Sequence, residues 1–208
     1  DKGQAIQVAQ CWQQYQQRGG TALPAAIGWP LFDGLNIVHG ALRGVGLRDR
    51  ITLISSGRVI DGFDMAVRLS LGADLCYSAR AMMFSLGCIQ ALRCNNNSCP
   101  TGVATQDPAL VKGLVVSDKR ERVYNYHKKT VHNLLEIVAA AGLSHPRELN
   151  AELIHRRISG TETDTLRALY TPLEEGSLLE GRGPEDVLRD WAAARAGAPL
   201  GHDFCAIS

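Results

Sequence analysis

The stretch "LRDRITLISSGRVIDGFDMAVRLSLGADLCYSARAMMFSLG", Leu47 to Gly87, decides the fold. Ile51 and Leu53 lie in a short β-branched run that breaks at Ser55-Ser56-Gly57, which predicts a strand ending in a turn. Phe63, Val67 and Leu71 then recur at helical spacing, and Gly72 stands where that helix would stop. "ADLCYSA" reads as a second short strand, and "AMMFSLG" opens another helix. Upstream, Leu35, Val38, Leu42 and Val45 keep the spacing of a buried helix face, with Gly46 as its stop. The order is helix, strand, helix, strand, helix. Connections this short between alternating elements imply parallel strands with crossover helices, as in an α/β barrel or a doubly wound sheet.

Parallel α/β folds place their chemistry at the carboxyl ends of the strands. Here both strands run into small-residue turns, "SSGR" at 55 to 58 and "YSAR" at 77 to 80. A phosphate group needs several backbone N–H donors and a close approach that only small residues permit. Gly57 and Ala79 meet that demand, and Arg58 and Arg80 would add charge. In α/β barrels a phosphate site commonly forms from the loops after the last two strands, which would make these strands seven and eight. The plainer alternative is that tight turns simply need glycine.

Just downstream, "LGCIQALRCNNNSCPTGVATQDP", Leu86 to Pro108, holds three of the six cysteines. Cys88, Cys94 and Cys99 are close enough in sequence for a looped backbone to bring their sulfurs together. Zinc sites favour Cys-x-x-Cys pairs and four ligands, and this stretch has neither. Iron–sulfur clusters need thiolates, tolerate wider spacing and often have proline directly after a ligand, as Pro100 follows Cys99. With three thiols in reach, a three-iron cluster is the economical reading. Unligated cysteines are the alternative, although "NNNS" between Cys94 and Cys99 is an odd core sequence. Cys11, Cys76 and Cys205 read as ordinary apolar or tail residues, and the six histidines show no metal-ligand spacing.

The rest of the chain sets bounds. At 208 residues, 45% hydrophobic and net charge +1, it can bury a core and offers no basic surface for nucleic acid or anionic lipid. No apolar run is long enough to cross a bilayer, and the start "DKGQAIQVAQ" lacks the order of a signal peptide, so a cytoplasmic location is the expectation. In that reducing setting clustered cysteines point to a metal or redox centre rather than to disulfides. The glutamine-rich first 20 residues read as a polar helix, with a Gly/Pro loop after it. "RERVYNYHKKTVHNLLEIVAAAGL" is the longest periodic segment, with Val123, Tyr126, Thr130, Leu134, Val138 and Ala141 on one side and Gly142 as its stop. "LSHPREL" predicts a further helix with Ser144 as N-cap and Pro146 in its first turn. The composition of the last residues predicts a loosely held tail.

The cysteine motif "GCIQALRCNNNSCPTGVATQDP", together with the stretch quoted first, resembles the FMN-binding domain of glutamate synthase, in particular its short glutamate-synthase-like relatives. The similarity runs from about Gly34 to about Leu179. It implies a (β/α)8 barrel holding FMN, of which this chain would supply the last two β/α units and a C-terminal helical extension. On that reading residues 1–33 are a divergent helix and loop, 34–115 the barrel part with its iron–sulfur loop, 116–180 the helical extension and 181–208 the tail. The resemblance implies a [3Fe-4S] cluster on Cys88, Cys94 and Cys99, and flavin phosphate contacts at Ser55, Ser56, Gly57, Ser78, Ala79 and Arg80. It also implies an oxidoreductase that converts 2-oxoglutarate to glutamate. Glutamine or ammonia would supply the nitrogen, and ferredoxin or an NADPH-linked subunit the electrons. The competing reading is a metal-binding or interaction module derived from the barrel that no longer turns over.

Overall fold

The computed structural model describes residues 31–170 and 172–195. The predicted glutamine-rich helix and the loop after it fall outside them. Helix α1 (Leu31–Gly44) and a 3-10 turn (Arg48–Arg50) lead into β1 (Ile54–Ser56). Helix α2 (Gly62–Ser70) returns the chain to β2 (Leu75–Tyr77), and α3 (Arg80–Ser85) follows. β1 and β2 pair in parallel, Ile54 opposite Leu75 and Ser56 opposite Tyr77. The alternating α/β order read from the sequence therefore holds here.

β1 starts later than the β-branched run suggested. Arg48 explains the shift: its guanidinium bonds the Ile51 carbonyl at 2.9 Å and the Asp74 carboxylate at 2.8 Å. The same carboxylate accepts the Leu53 N–H at 2.7 Å. Ile51 is thus held as the C-cap of the 3-10 turn, and the ladder runs through Ile54, Ser55 and Ser56.

Asp61 starts α2 by accepting the Asp64 N–H at 2.8 Å, an N-cap bond that satisfies one of the helix's free donors. At the other end the Gly72 N–H reaches the Leu69 carbonyl and the Ala73 N–H the Arg68 carbonyl, the paired bonds of a Schellman stop. Gly72 takes φ +100°, and a Cβ there would lie 2.2 Å from His39 Nδ1, so the position excludes a side chain twice over. The same pair of bonds closes α1 at Gly46 and the long helix at Gly142, the stops read from the sequence.

α2 lies between two apolar clusters. Val67 and Leu71 face Leu35 of α1 together with Ile154 and Leu166. Ala66 faces Leu134, Val138 and Leu149. Leu134 and Val138 belong to α5 (Val116–Ala140), which follows the cysteine loop and a short helix, α4 (Pro108–Val111). Its inner stripe is the predicted one from Val123 to Val138, whereas Ala141 is exposed. On α1, Val38 is 47% exposed, and the packed face uses Leu35, Gly40 and Gly44 instead. Gly44 makes room for the Leu178 side chain, and the Gly176 and Leu178 N–H groups cap the Arg43 and Gly44 carbonyls.

Residues 144–149 form one 3-10 turn (Pro146–Glu148) rather than a helix. His145 caps it, while Ser144 is drawn away to the Glu148 carboxylate at 2.6 Å. Beyond it an antiparallel pair, β3 (His155–Arg157) and β4 (Thr163–Thr165), and a short α6 (Leu166–Leu169) stand where the sequence suggested only helix. Helix α7 (Glu185–Arg195) lies within the stretch expected to be loosely held.

Candidate functional site

The parallel pairing sets the two small-residue turns side by side at the carboxyl ends of β1 and β2. Ser56, Gly57, Arg58, Ala79 and Arg80 are exposed, and Ser78 is half-buried. Ser55 points the other way: it is buried toward the helices, and its hydroxyl has no hydrogen-bond partner. Gly57 and Arg58 both have positive φ, +123° and +51°, which gives the turn a sharp change of direction. A cavity of about 440 Å³ opens beside the turns, lined by Ser56, Ser78 and Ala79 and by Tyr126 and His127 of α5.

Four consecutive carbonyls, from Gly57 to Ile60, each accept a side-chain hydrogen bond. The Arg68 guanidinium donates to the Gly57 and Arg58 carbonyls at 2.8 and 3.1 Å. Ser78 Oγ donates to Val59 at 2.7 Å, and the Tyr126 hydroxyl donates to Ile60 at 2.6 Å. Each bond occupies an oxygen, so none of these four carbonyls is left without a donor. Arg68 itself is 2% exposed, lies 5.5 Å from the centre of the Phe32 ring and has its nearest carboxylate, Asp64, at 3.4 Å. Burial pushes the nearby Cys76 thiol up, although Arg68 pulls it the other way, so Cys76 is a poor nucleophile.

The cysteine loop begins where α3 stops. The Cys88 N–H bonds the Met83 carbonyl, and Cys88 Sγ accepts the Gln90 N–H at 3.5 Å. Cys88 is half-buried, Cys94 exposed and Cys99 buried, all three as free thiols. Cys99 is the activated one, with its pKa lowered to about 7 by the Thr101 hydroxyl and by the backbone N–H groups of Ala104, Thr101 and Val103. Between Cys88 and Cys99, Gln90, Leu92 and Asn97 all have φ between 55° and 62°, which strains Gln90 and Leu92 by about 1–2 kcal/mol each, whereas asparagine tolerates that region. The loop is closed by Asn97, whose carboxamide oxygen accepts the Gln106 N–H at 2.6 Å. Among the described residues no three His, Cys, Asp or Glu side chains are gathered as metal ligands, so the three sulfurs are not brought to one point.

Sequence reading placed the two turns and the cysteine loop but passed over Arg68 and Tyr126. The signal for Arg68 was a charge next to Val67 on an apolar helix face, four residues after Asp64. Tyr126 was read as part of a packing stripe, and nothing local shows that its hydroxyl reaches 66 residues back to Ile60.

Parallel strands with small-residue turns at their carboxyl ends, a buried arginine hydrogen-bonded to one of those turns and a three-cysteine loop one short helix away define an α/β protein. Residues 19–144 match the family model described as the conserved region in glutamate synthase. The chain belongs to the glutamate synthase family. It is 41% identical over 149 residues to the glutamate synthase large subunit-like protein YerD of Bacillus subtilis (strain 168), covering 69% of this chain and 28% of that protein. It is 34% identical over 157 residues to the archaeal glutamate synthase (NADPH) of Methanocaldococcus jannaschii, covering 73% and 31%. With the glutamate synthase (NADPH) large chain of Bacillus subtilis (strain 168) it shares 35% over 122 residues, 59% of this chain and 8% of that one. The chain spans under a third of the length of each of these relatives. No helix among the described residues is long and apolar enough to cross a membrane.

Proposed function

We propose that residues 34–115 hold a flavin phosphate and an iron–sulfur cluster within a glutamate synthase-like oxidoreductase. β1 and β2 are read as the last two strands of a (β/α)8 barrel. The exposure of Ile54, Leu75 and Tyr77, on the strand face away from the helices, supports this, because that face would line the barrel interior. Residues 116–180 then serve as an extension packed against the outside.

The observation that carries the flavin site is the pair of exposed turns beside a cavity, with the carbonyls of Gly57 to Ile60 all hydrogen-bonded to side chains. Ser56, Gly57, Ser78, Ala79 and Arg80 would face the FMN phosphate, while Ser55 would support the turn from the helix side. For the cluster, the residues fit in donor chemistry: three thiols on one strained loop, one already favoured as thiolate by amide donors. Cys88, Cys94 and Cys99 would hold a [3Fe-4S] cluster. When bound, the cluster and FMN supply one-electron relay and hydride transfer to the imine of 2-oxoglutarate. Nitrogen would come from glutamine or ammonia, and electrons from ferredoxin or an NADPH-linked partner.

The test is anaerobic reconstitution of the full chain with ferrous salt and sulfide, followed by elemental analysis and EPR after oxidation. About three iron atoms per chain and a three-iron EPR signal are expected, both lost in Cys99→Ser. A wild-type chain that retains no iron overturns the cluster. Iron without flavin uptake would instead favour the non-catalytic module.

A further inference from the structure

Helix α5 lies outside the strand-and-helix repeat, yet it is bonded twice to the chain that leads from β1 into α2. Tyr126 donates to the Ile60 carbonyl at 2.6 Å, and Asn133 accepts the Gly62 N–H at 3.2 Å. Tyr126 Oη also stands 3.5 Å from Ser78 Oγ, the hydroxyl that bonds Val59. One phenol therefore sits at the junction of the two turns. From the opposite side Arg68 holds the two preceding carbonyls.

Resting on the flavin reading above, we propose that Tyr126 and Arg68 are positioning residues for the phosphate of the flavin. Neither lies in the turns, and Arg68 is too buried to touch a ligand. They act by holding the oxygens of Gly57, Arg58 and Ile60 in fixed hydrogen bonds. In a peptide unit the N–H points opposite to the C=O, so fixing the oxygens fixes the direction of the donors. A turn containing glycine can adopt other conformations without steric cost at that residue, and Gly57 gives this turn that freedom. In those, a carbonyl dipole can swing toward the phosphate and repel it. Holding the turn beforehand removes the ordering cost from the binding step. The buried guanidinium adds attraction for a dianion across the turn.

The consequence is specific to the phosphate. FMN and riboflavin share the ring and the ribityl chain and differ only in the phosphate, so their affinity ratio isolates the turn. The experiment titrates the full chain with each flavin, following fluorescence quenching, in wild type, Tyr126→Phe and Arg68→Lys. In wild type FMN binds more tightly than riboflavin. In Tyr126→Phe that preference falls about 3- to 10-fold, the effect of one lost hydrogen bond, with riboflavin affinity unchanged. Arg68→Lys keeps the charge and loses the two-carbonyl grip, and the preference falls again. Far-UV circular dichroism and the unfolding midpoint establish that the variants are folded. Tyr126→Phe disturbs packing least and carries the test if Arg68→Lys does not fold. If wild type shows no preference for FMN, the phosphate site itself is wrong. If wild type shows the preference and Tyr126→Phe keeps it, the turns hold the phosphate without help from α5 and the inference is overturned. An equal loss for both flavins also overturns it, since that is a general structural effect.

Discussion

His39 and Arg48 show how single side chains lock the end of the sheet opposite the candidate site. Arg48 Nε donates to His39 Nδ1 at 3.0 Å while its other nitrogens hold the Gly72 carbonyl and Asp74. The ring must be unprotonated at Nδ1 to accept that bond. Burial lowers the His39 pKa, Arg48 and Arg43 lower it further, and Asp74 pulls the other way. In the unfolded chain histidine titrates near 6.5, so on acidification the unfolded state takes up its proton first. The contribution of His39 is therefore complete above that value and is lost as pH falls below it toward the lower folded pKa. Urea unfolding between pH 7.5 and 5 tests this. The wild-type midpoint should drop below about pH 6.5, and His39→Asn, which keeps an acceptor without the titration, should flatten that drop. Equal slopes in the two proteins would assign it elsewhere. None of this was legible in the sequence, where His39 reads as one polar residue on a helix, because its partners lie at 48, 72 and 74.

At the scale of elements, α2 is the piece the sequence described best. Its apolar spacing and Gly72 stop were legible because cap and period are local. What was not legible is how closely α5 approaches it. A Cβ built on Gly62 would lie 2.4 Å from the Leu134 backbone nitrogen and 2.8 Å from the Asn133 carbonyl carbon. Backbone cannot step aside as a flexible side chain can. Gly62→Ala should therefore cost about 1–3 kcal/mol despite alanine's better helix propensity. Gly160, in the turn between β3 and β4, has nothing within 4 Å of its built Cβ and no positive φ, so Gly160→Ala should change stability by under about 0.5 kcal/mol. Chemical denaturation of both variants checks the contrast, and a neutral Gly62→Ala would mean that the helices can separate without loss. The β3–β4 hairpin escaped sequence reading for a related reason. Its strands, "HRR" and "TDT", carry no apolar alternation, and what fixes them is the burial of Ile154 and Leu166 on either side.

Across the whole molecule, the two faces of the β1–β2 sheet are unequal. Ser55 and the half-buried Cys76 face the helix layer, where Val67, Leu71 and Ala73 form the core. Ile54, Leu75 and Tyr77 on the other face are 43%, 52% and 59% exposed. Short apolar strands bounded by turns are what a sequence shows whether one face is covered or both, so the strands were legible and the bare face was not. Phe63, Ile89 and Leu92 are also exposed, which adds to the apolar surface around the candidate site. An uncovered sheet face of this kind favours self-association. The inequality predicts opposite outcomes for two leucines four residues apart. Leu71→Ala, at 4% exposure, should cost about 2–5 kcal/mol. Leu75→Ser should leave the unfolding midpoint nearly unchanged while reducing hydrophobic-dye binding and the concentration dependence of sedimentation. If Leu75→Ser instead destabilises the chain as Leu71→Ala does, the face is covered in solution. The barrel reading then needs this chain to supply the cover itself, or a second copy to do so.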